Sequence, residues 1–227
     1  LAEKLGVPCF PAYTDPIHPT QNFPHPLLNL PFGRITNRLS YQVGRRVFWQ
    51  LHGAVANRTR AEVLGLPPVV SGGPYVELDR RRCPVLYAYS PSVLPQPADW
   101  PRWIHTTGYW WLDCSPDWAP PARLADFLSS GPGPVYVGFG SVRVNPGGWD
   151  KHNAPDPMMQ TIIDAAVKSR RRAVVLASGH AGEVTGLPDN VCLMDPVPFD
   201  WLYPRMAATV HHGGAGTAGA AFRAGVP

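Results

Sequence analysis

The sequence predicts an α/β protein built on parallel sheet, and three observations predict it. From Pro134 onward, short apolar runs alternate with segments of helical periodicity, a grammar that covers both faces of a parallel sheet with helices. Between the last apolar run and the last helix stands a glycine-rich turn, Gly213-Gly214-Ala215-Gly216-Thr217, where the backbone can approach an anion closely. Hydrophobic residues make up 44% of the 227, enough to fill one large core or two small ones.

The elements follow in chain order. "LAEKLGVPCFPAY" reads as the end of a helix and then a strand, so the chain is expected to start inside a domain. Between residues 8 and 33, Pro8, Pro11, Pro16, Pro19, Pro24, Pro26 and Pro31 exclude a regular helix and predict a long packed loop. From Ile35 to Leu64 there is no proline, and Leu39, Val43, Val47, Leu51 and Val55 recur at every fourth position. An amphipathic helix with that row buried against a sheet is expected. A second reading rests the same helix on a lipid surface, through Arg34, Arg38, Arg45 and Arg46 around Phe48 and Trp49. "CPVLYAYSPSVL" (83–94) and "WIHTTGYWWLD" (103–113) each hold a short strand. The proline- and glycine-rich stretch 116–133 reads as an interdomain linker with two helical turns over Ala122 to Ser129. Residues 1–115 and 134–227 are then two domains.

In the second domain "PVYVGFGSV", "AVVLAS", "VCLMDPV" and "AATVHH" read as strands, and "MMQTIIDAAVKSRRR", "WLYPRM" and "TAGAAFRAG" as helices. This half is Rossmann-like. Charge excludes little: a net +4 suits an anionic ligand or an ordinary basic enzyme, and the triplets Arg80–Arg82 and Arg170–Arg172 are too short for a nucleic-acid tract. Cys9, Cys83, Cys114 and Cys192 lie far apart with no C-x-x-C pair, so neither a zinc site nor a disulfide framework is indicated, and a reducing cytosol is the expected compartment. No apolar run approaches the roughly 20 residues of a membrane span.

Ligands of open parallel sheets sit at the carboxyl ends of the strands. Three loops there carry unusual residues: Gly140-Ser141, Pro196-Val197-Pro198, and His211 to Thr217. Gly214 to Gly219 spell G-x-G-x-x-G, but the motif comes late in the domain, and histidines replace the apolar strand end that a dinucleotide site would have. A phosphate cradle fits better. Gly213, Gly214 and Gly216 admit the anion, amides at the helix start point at it, and His211 and Thr217 add side-chain donors.

"VYVGFGS", "VPFDWLYPRMAATVHHGGAGTAGAAFRAGVP" and "SPSVLPQPADWPRWIHTTGYWWLD" resemble the UDP-glycosyltransferase superfamily, closest to its sterol 3-beta-glucosyltransferase-like branch, and "AEKLGVPCFPAYTDPIHPTQNFPHP" resembles the middle of that family's acceptor domain. The resemblance implies a GT-B fold, two Rossmann-like domains that face each other across a cleft, both incomplete in this chain. It implies an inverting transfer of a hexose, glucose, from a UDP-sugar to a hydroxyl of a lipophilic acceptor such as a sterol. Alternatives are a natural-product-tailoring enzyme that uses UDP- or dTDP-sugar, and a non-catalytic nucleotide-binding relative.

Carried over residue by residue, the resemblance gives the donor diphosphate to His211, Gly213, Gly214, Ala215, Gly216 and Thr217, and the nucleoside to Gly140, Ser141 and Val197. No metal or other cofactor is implied. The catalytic base is expected upstream of Leu1 and the sugar-gripping acid after Pro227, so the chain alone is expected to be inactive. The implied location is cytoplasmic, with a peripheral membrane contact as a further reading. Two departures stand out: relatives have His in place of Phe199, and Lys-Gly-Trp near Ser178-Gly179-His180. The aromatic residues Trp100, Trp103, Tyr109, Trp110 and Trp111 suit either a flat apolar acceptor or a packed core.

Overall fold

A computed structural model describes residues 1–28, 33–69, 73–139, 157–177 and 186–227. The chain divides into two compact units, Leu1–Trp110 and Trp111–Pro227.

The first unit holds a parallel sheet of β1 (Ala12–Tyr13), β2 (Val85–Tyr87) and β3 (Ile104–Thr106), in that order. Around it lie α1 (Ala2–Leu5), α2 (Arg34–Thr59) and α3 (Pro74–Arg81). Val85, Tyr87, Tyr89, Trp100 and Ile104 form its buried cluster, with Trp103 and Tyr109 packed against it. Trp100 stacks on Tyr87 at 4.9 Å between ring centroids. Three of the five aromatics are therefore core, while Trp110 and Trp111 are exposed.

α2 corrects the sequence reading. The helix forms where expected and passes into a π-helical turn over Arg60–Leu64, but Leu39, Val43, Val47, Leu51 and Val55 are 47–70% exposed. The packed row is the opposite one: Asn37, Tyr41, Arg45, Trp49, Gly53 and Asn57. Its polarity has a physical cause, because α2 packs on irregular chain whose backbone groups need partners. Asn37 Nδ2 donates to the Gln21 carbonyl at 3.0 Å, and Tyr41 Oη to those of Phe23 and Pro24 at 3.3 Å. Ser40 Oγ accepts the His25 amide at 2.8 Å. Arg45 pairs with Asp79 of α3 at 2.7 Å. Asn57 grips Val69 twice, accepting its N–H at 2.8 Å and donating to its carbonyl at 3.1 Å. Among the described residues no helix is long and apolar enough to cross a membrane.

The second unit is the alternating half. It comprises α4 (Ala122–Ser129), β4 (Val135–Val137), α5 (Pro157–Ser169), β5 (Ala173–Leu176), β6 (Val191–Met194), α6 (Phe199–Leu202), β7 (Ala208–Val210) and α7 (Ala215–Ala224). All four strands are parallel, in the order β6-β5-β4-β7. Alternate residues feed two cores. Tyr136, Val174, Cys192 and Met194 face Leu124 of α4, Leu202 of α6 and Ala221 of α7. Val137, Ala173, Val175, Val191 and Leu193 face Ile163 and Ala166 of α5. α5, which leads into β5, covers one face, and α6, which leads back to β7, covers the other.

The stretch 116–133 read as a linker does not stand apart from this unit. Leu124 is 2% exposed in the first of those cores, with Phe127 and Leu128 packed beside it. Its prolines and glycines end elements, and they leave α4 free to pack.

Candidate functional site

The strand order places the site. Because the chain runs outward from β4 through β5 to β6 and then comes back to β7, the neighbouring strands β4 and β7 leave the sheet toward different helices. Such a switch point opens a crevice beyond the strands' carboxyl ends. Val137 is level with Val210, and the Gly138 amide donates to the Val210 carbonyl at 3.0 Å. From there one chain enters Gly138-Phe139 and the other enters His211-His212-Gly213-Gly214.

The second of these turns is the one that the sequence reads as a phosphate cradle. Gly213 has φ +85°, a conformation that L side chains rarely adopt. Gly214 precedes α7 with φ −57° and ψ 139°, and no side chain caps the helix. The first helical bond joins the Ala218 amide to the Gly214 carbonyl at 2.9 Å, so the amides of Ala215, Gly216 and Thr217 have no partner within the helix. They carry the positive end of its dipole. A Cβ on Gly214 would fall 2.5 Å from His212 Nε2, whereas Gly216 looks onto open space. Thr217 is 6% exposed. The small residues of α7 let it lie close to the sheet, with Ala220, Ala221 and Ala224 in the core beneath.

His211 is half-buried, and its Nδ1 accepts the Gly213 amide at 3.0 Å. That amide, expected to face the anion, is turned onto the ring instead. Val197 lies at the same end of the sheet but beyond β6, three strand spacings from β7, or about 14 Å. Its loop leads into α6, which is fixed by Asp200 Oδ2 accepting the Cys114 amide at 2.7 Å. Arg223 near the end of α7 pairs with Asp113 at 2.6 Å. Phe199 stacks on Tyr203 at 4.5 Å between centroids and meets Tyr136 edge-on. Phe199 is thus half-buried and packed against the core of this unit. Gly140, Ser141 and His180 lie outside the described residues.

Sequence reasoning missed a second polar cluster, in the first unit, on the loop leaving β1. Tyr87 Oη accepts the amides of Ile17 and His18, each at 3.1 Å, which leaves its own proton for His18 Nδ1 at 2.5 Å. The ring's other nitrogen faces Asp79 at 3.7 Å. Burial, and then the Arg45 charge, push the His18 pKa down to about 4. The contact is therefore a neutral N–H facing a carboxylate already paired with Arg45, and not an ion pair at neutral pH. Partners 69 residues apart leave no local trace in sequence. Among the described residues no three His, Cys, Asp or Glu side chains group as metal ligands.

Comparison with solved structures identifies the architecture. The glycosyltransferase of kitacinnamycin is 20% identical with a TM-score of 0.59, covering 100% of this chain and 52% of its own. CalG4, the calicheamicin glycosyltransferase, is 16% identical with a TM-score of 0.51, covering 100% and 49%. The fold is GT-B. Residues 160–227 match the family described as erythromycin biosynthesis protein CIII-like, C-terminal domain. The whole chain aligns with sterol 3-beta-glucosyltransferases of Cryptococcus neoformans var. neoformans, 35% identical, and Aspergillus fumigatus, 36% identical. The chain is thus similar over its whole length to sterol 3-beta-glucosyltransferases, and over residues 160–227 to the EryCIII-like C-terminal domain. The chain spans 15–16% of the length of these relatives.

Proposed function

We propose that this chain supplies the leaving-group site, and part of the acceptor wall, of an inverting glycosyltransferase that moves glucose from UDP-glucose to a hydroxyl of a lipophilic acceptor such as a sterol. The observation that carries the reading is the uncapped start of α7 at the switch point between β4 and β7, with the His211 ring beside it. A departing nucleoside diphosphate gathers negative charge, and fixed donors aimed at that charge lower the barrier where it develops. Ala215, Gly216 and Thr217 offer such donors through their amides, and His211 through its ring. An extended ligand suits the site, since the loop at Val197, assigned to the base, lies across the sheet from the cradle. In this reading the charge is met by protein donors and no metal is needed. The relatives' names support the donor sugar and the sterol acceptor.

Calorimetry with UDP tests it. His211→Ala should weaken binding by about 1.5–3 kcal/mol, the range for a hydrogen bond to a charged group. Equal affinity in both proteins would remove His211 from the site. Gly214→Val should weaken binding as well, by forcing a side chain into the place of His212. Failure of a longer protein carrying this chain to transfer labelled glucose from UDP-glucose, with UDP binding intact, would favour the non-catalytic relative.

A further inference from the structure

We propose that the backbone amide of Gly213 sets the tautomer of His211, so that the ring meets the diphosphate as a neutral Nε2–H donor and not as a cation. The inference rests on the reading of the cradle given above. Its basis is the bond from the Gly213 N–H to His211 Nδ1 at 3.0 Å. An N–H can be accepted only by a nitrogen with a free lone pair, and a neutral imidazole with its lone pair on Nδ1 carries its proton on Nε2. An imidazolium has no lone pair and would set two N–H groups head to head. Turning the ring over would bring a C–H against the amide and leave that donor unpaired.

The turn is built for this bond. The Gly213 amide lies in the peptide plane that follows His212, and the bend through His212 brings it back onto the ring two residues earlier; the positive φ of Gly213 then turns the chain toward α7, a geometry that glycine reaches without strain. His212 does not share the arrangement. It is exposed, and its ring occupies the space that a Cβ on Gly214 would take. The two adjacent histidines therefore differ: the turn holds the first in one protonation form, and the second packs on Gly214. Gly213 becomes a positioning residue that acts through His211, and the donors left for the ligand are His211 Nε2–H and the amides of Ala215, Gly216 and Thr217.

Two measurements on the purified chain test the proposal. In long-range 1H–15N spectra of 15N-histidine-labelled protein with UDP-glucose bound, the protonated nitrogen of His211 should be the one coupled to both carbon-bound ring protons, which is Nε2. The His211→Gln spectrum assigns the signal. A variant series then reads the chemistry by calorimetry with UDP-glucose. His211→Gln places an amide donor near the position of Nε2 and should keep affinity within about threefold. His211→Asn places its amide near Nδ1, leaves no outward donor, and should lose at least about tenfold. Protonation at Nδ1 or at both nitrogens, or rescue by His211→Lys where His211→Gln fails, would overturn the tautomer while leaving the diphosphate site standing. Absence of UDP-glucose binding, or wild-type affinity in all three variants, would overturn the site as well.

Discussion

α2 and α5 carry comparable apolar periodicities, yet one buries its row and the other displays it. In α5, Met159, Ile162, Ile163 and Ala166 combine steps of three and four, which average near 3.6 and stay on one face. They pack on the sheet, with Ile163 and Ala166 each 7% exposed. In α2 the row from Ile35 to Val55 advances strictly by four. Each step turns about 40° further round the helix, so five steps carry the row through about 200°. Such a row cannot lie on a flat sheet. The packed row of α2 winds in the same way, because its partners change along the helix: the loop near Gln21 to His25, then α3, then Val69. A sheet whose ladders are complete asks for apolar neighbours, whereas irregular chain asks for donors and acceptors.

The largest effect that would break this comparison concerns one substitution in each helix. Ile163→Ala should cost about 2–5 kcal/mol by opening a cavity between α5 and the sheet. Val47→Ala, on the outward row, should change stability by less than about 0.5 kcal/mol. Urea denaturation of both variants measures the difference, and similar losses would show that the row of α2 is buried in solution.

Acid should strike the first unit next. His18 has its folded pKa lowered to about 4 by burial and then by the Arg45 charge, against about 6.5 when unfolded. The folded state therefore holds the neutral ring. Its contribution is fully present above pH 6.5 and declines as pH falls toward 4, by on the order of 3 kcal/mol. His18→Gln should flatten that part of the stability–pH curve. An unchanged acid slope in the variant would show that His18 titrates freely.

What was legible follows the same division. The strands from Val135 to Val210 are short apolar runs bounded by glycine, proline and polar turns, and local chemistry defines them. The turn into α7 was legible for the same reason, since histidines, glycines and helix start lie within seven residues. The order β6-β5-β4-β7 was not, because it depends on which strand the chain returns to. Nor were the Tyr87–His18 and Arg45–Asp79 contacts, whose partners lie 69 and 34 residues apart. The bond from Gly213 to His211 spans only two residues, but it depends on how the backbone bends through His212 and on the ring's rotamer, which residue type alone does not announce.

Asn57 gives a smaller effect. Asn57→Ala loses both bonds to Val69 and should cost about 1–2 kcal/mol, roughly one ordinary contribution per bond with part recovered by water. Asn57→Asp keeps the acceptor and loses the donor, so it should fall between the wild type and the alanine variant. A cost below that of Val47→Ala would show that the polar row is not what holds the end of α2.

The smallest effect sharpens the comparison most. Leu51 is 70% exposed on the outward row, and Leu51→Gln exchanges an apolar side chain in water for a polar one with similar helix propensity. Neither folding nor the inward contacts of Trp49 and Gly53 should register it, and stability should stay within about 0.5 kcal/mol of wild type. What should change is adhesion: removing one member of a contiguous apolar row reduces the patch that drives non-specific association. Sedimentation at rising protein concentration should therefore show less self-association in Leu51→Gln than in wild type, with superimposable urea curves. A lowered urea midpoint with unchanged association would place Leu51 inside the folded unit and reverse the assignment of the two faces of α2.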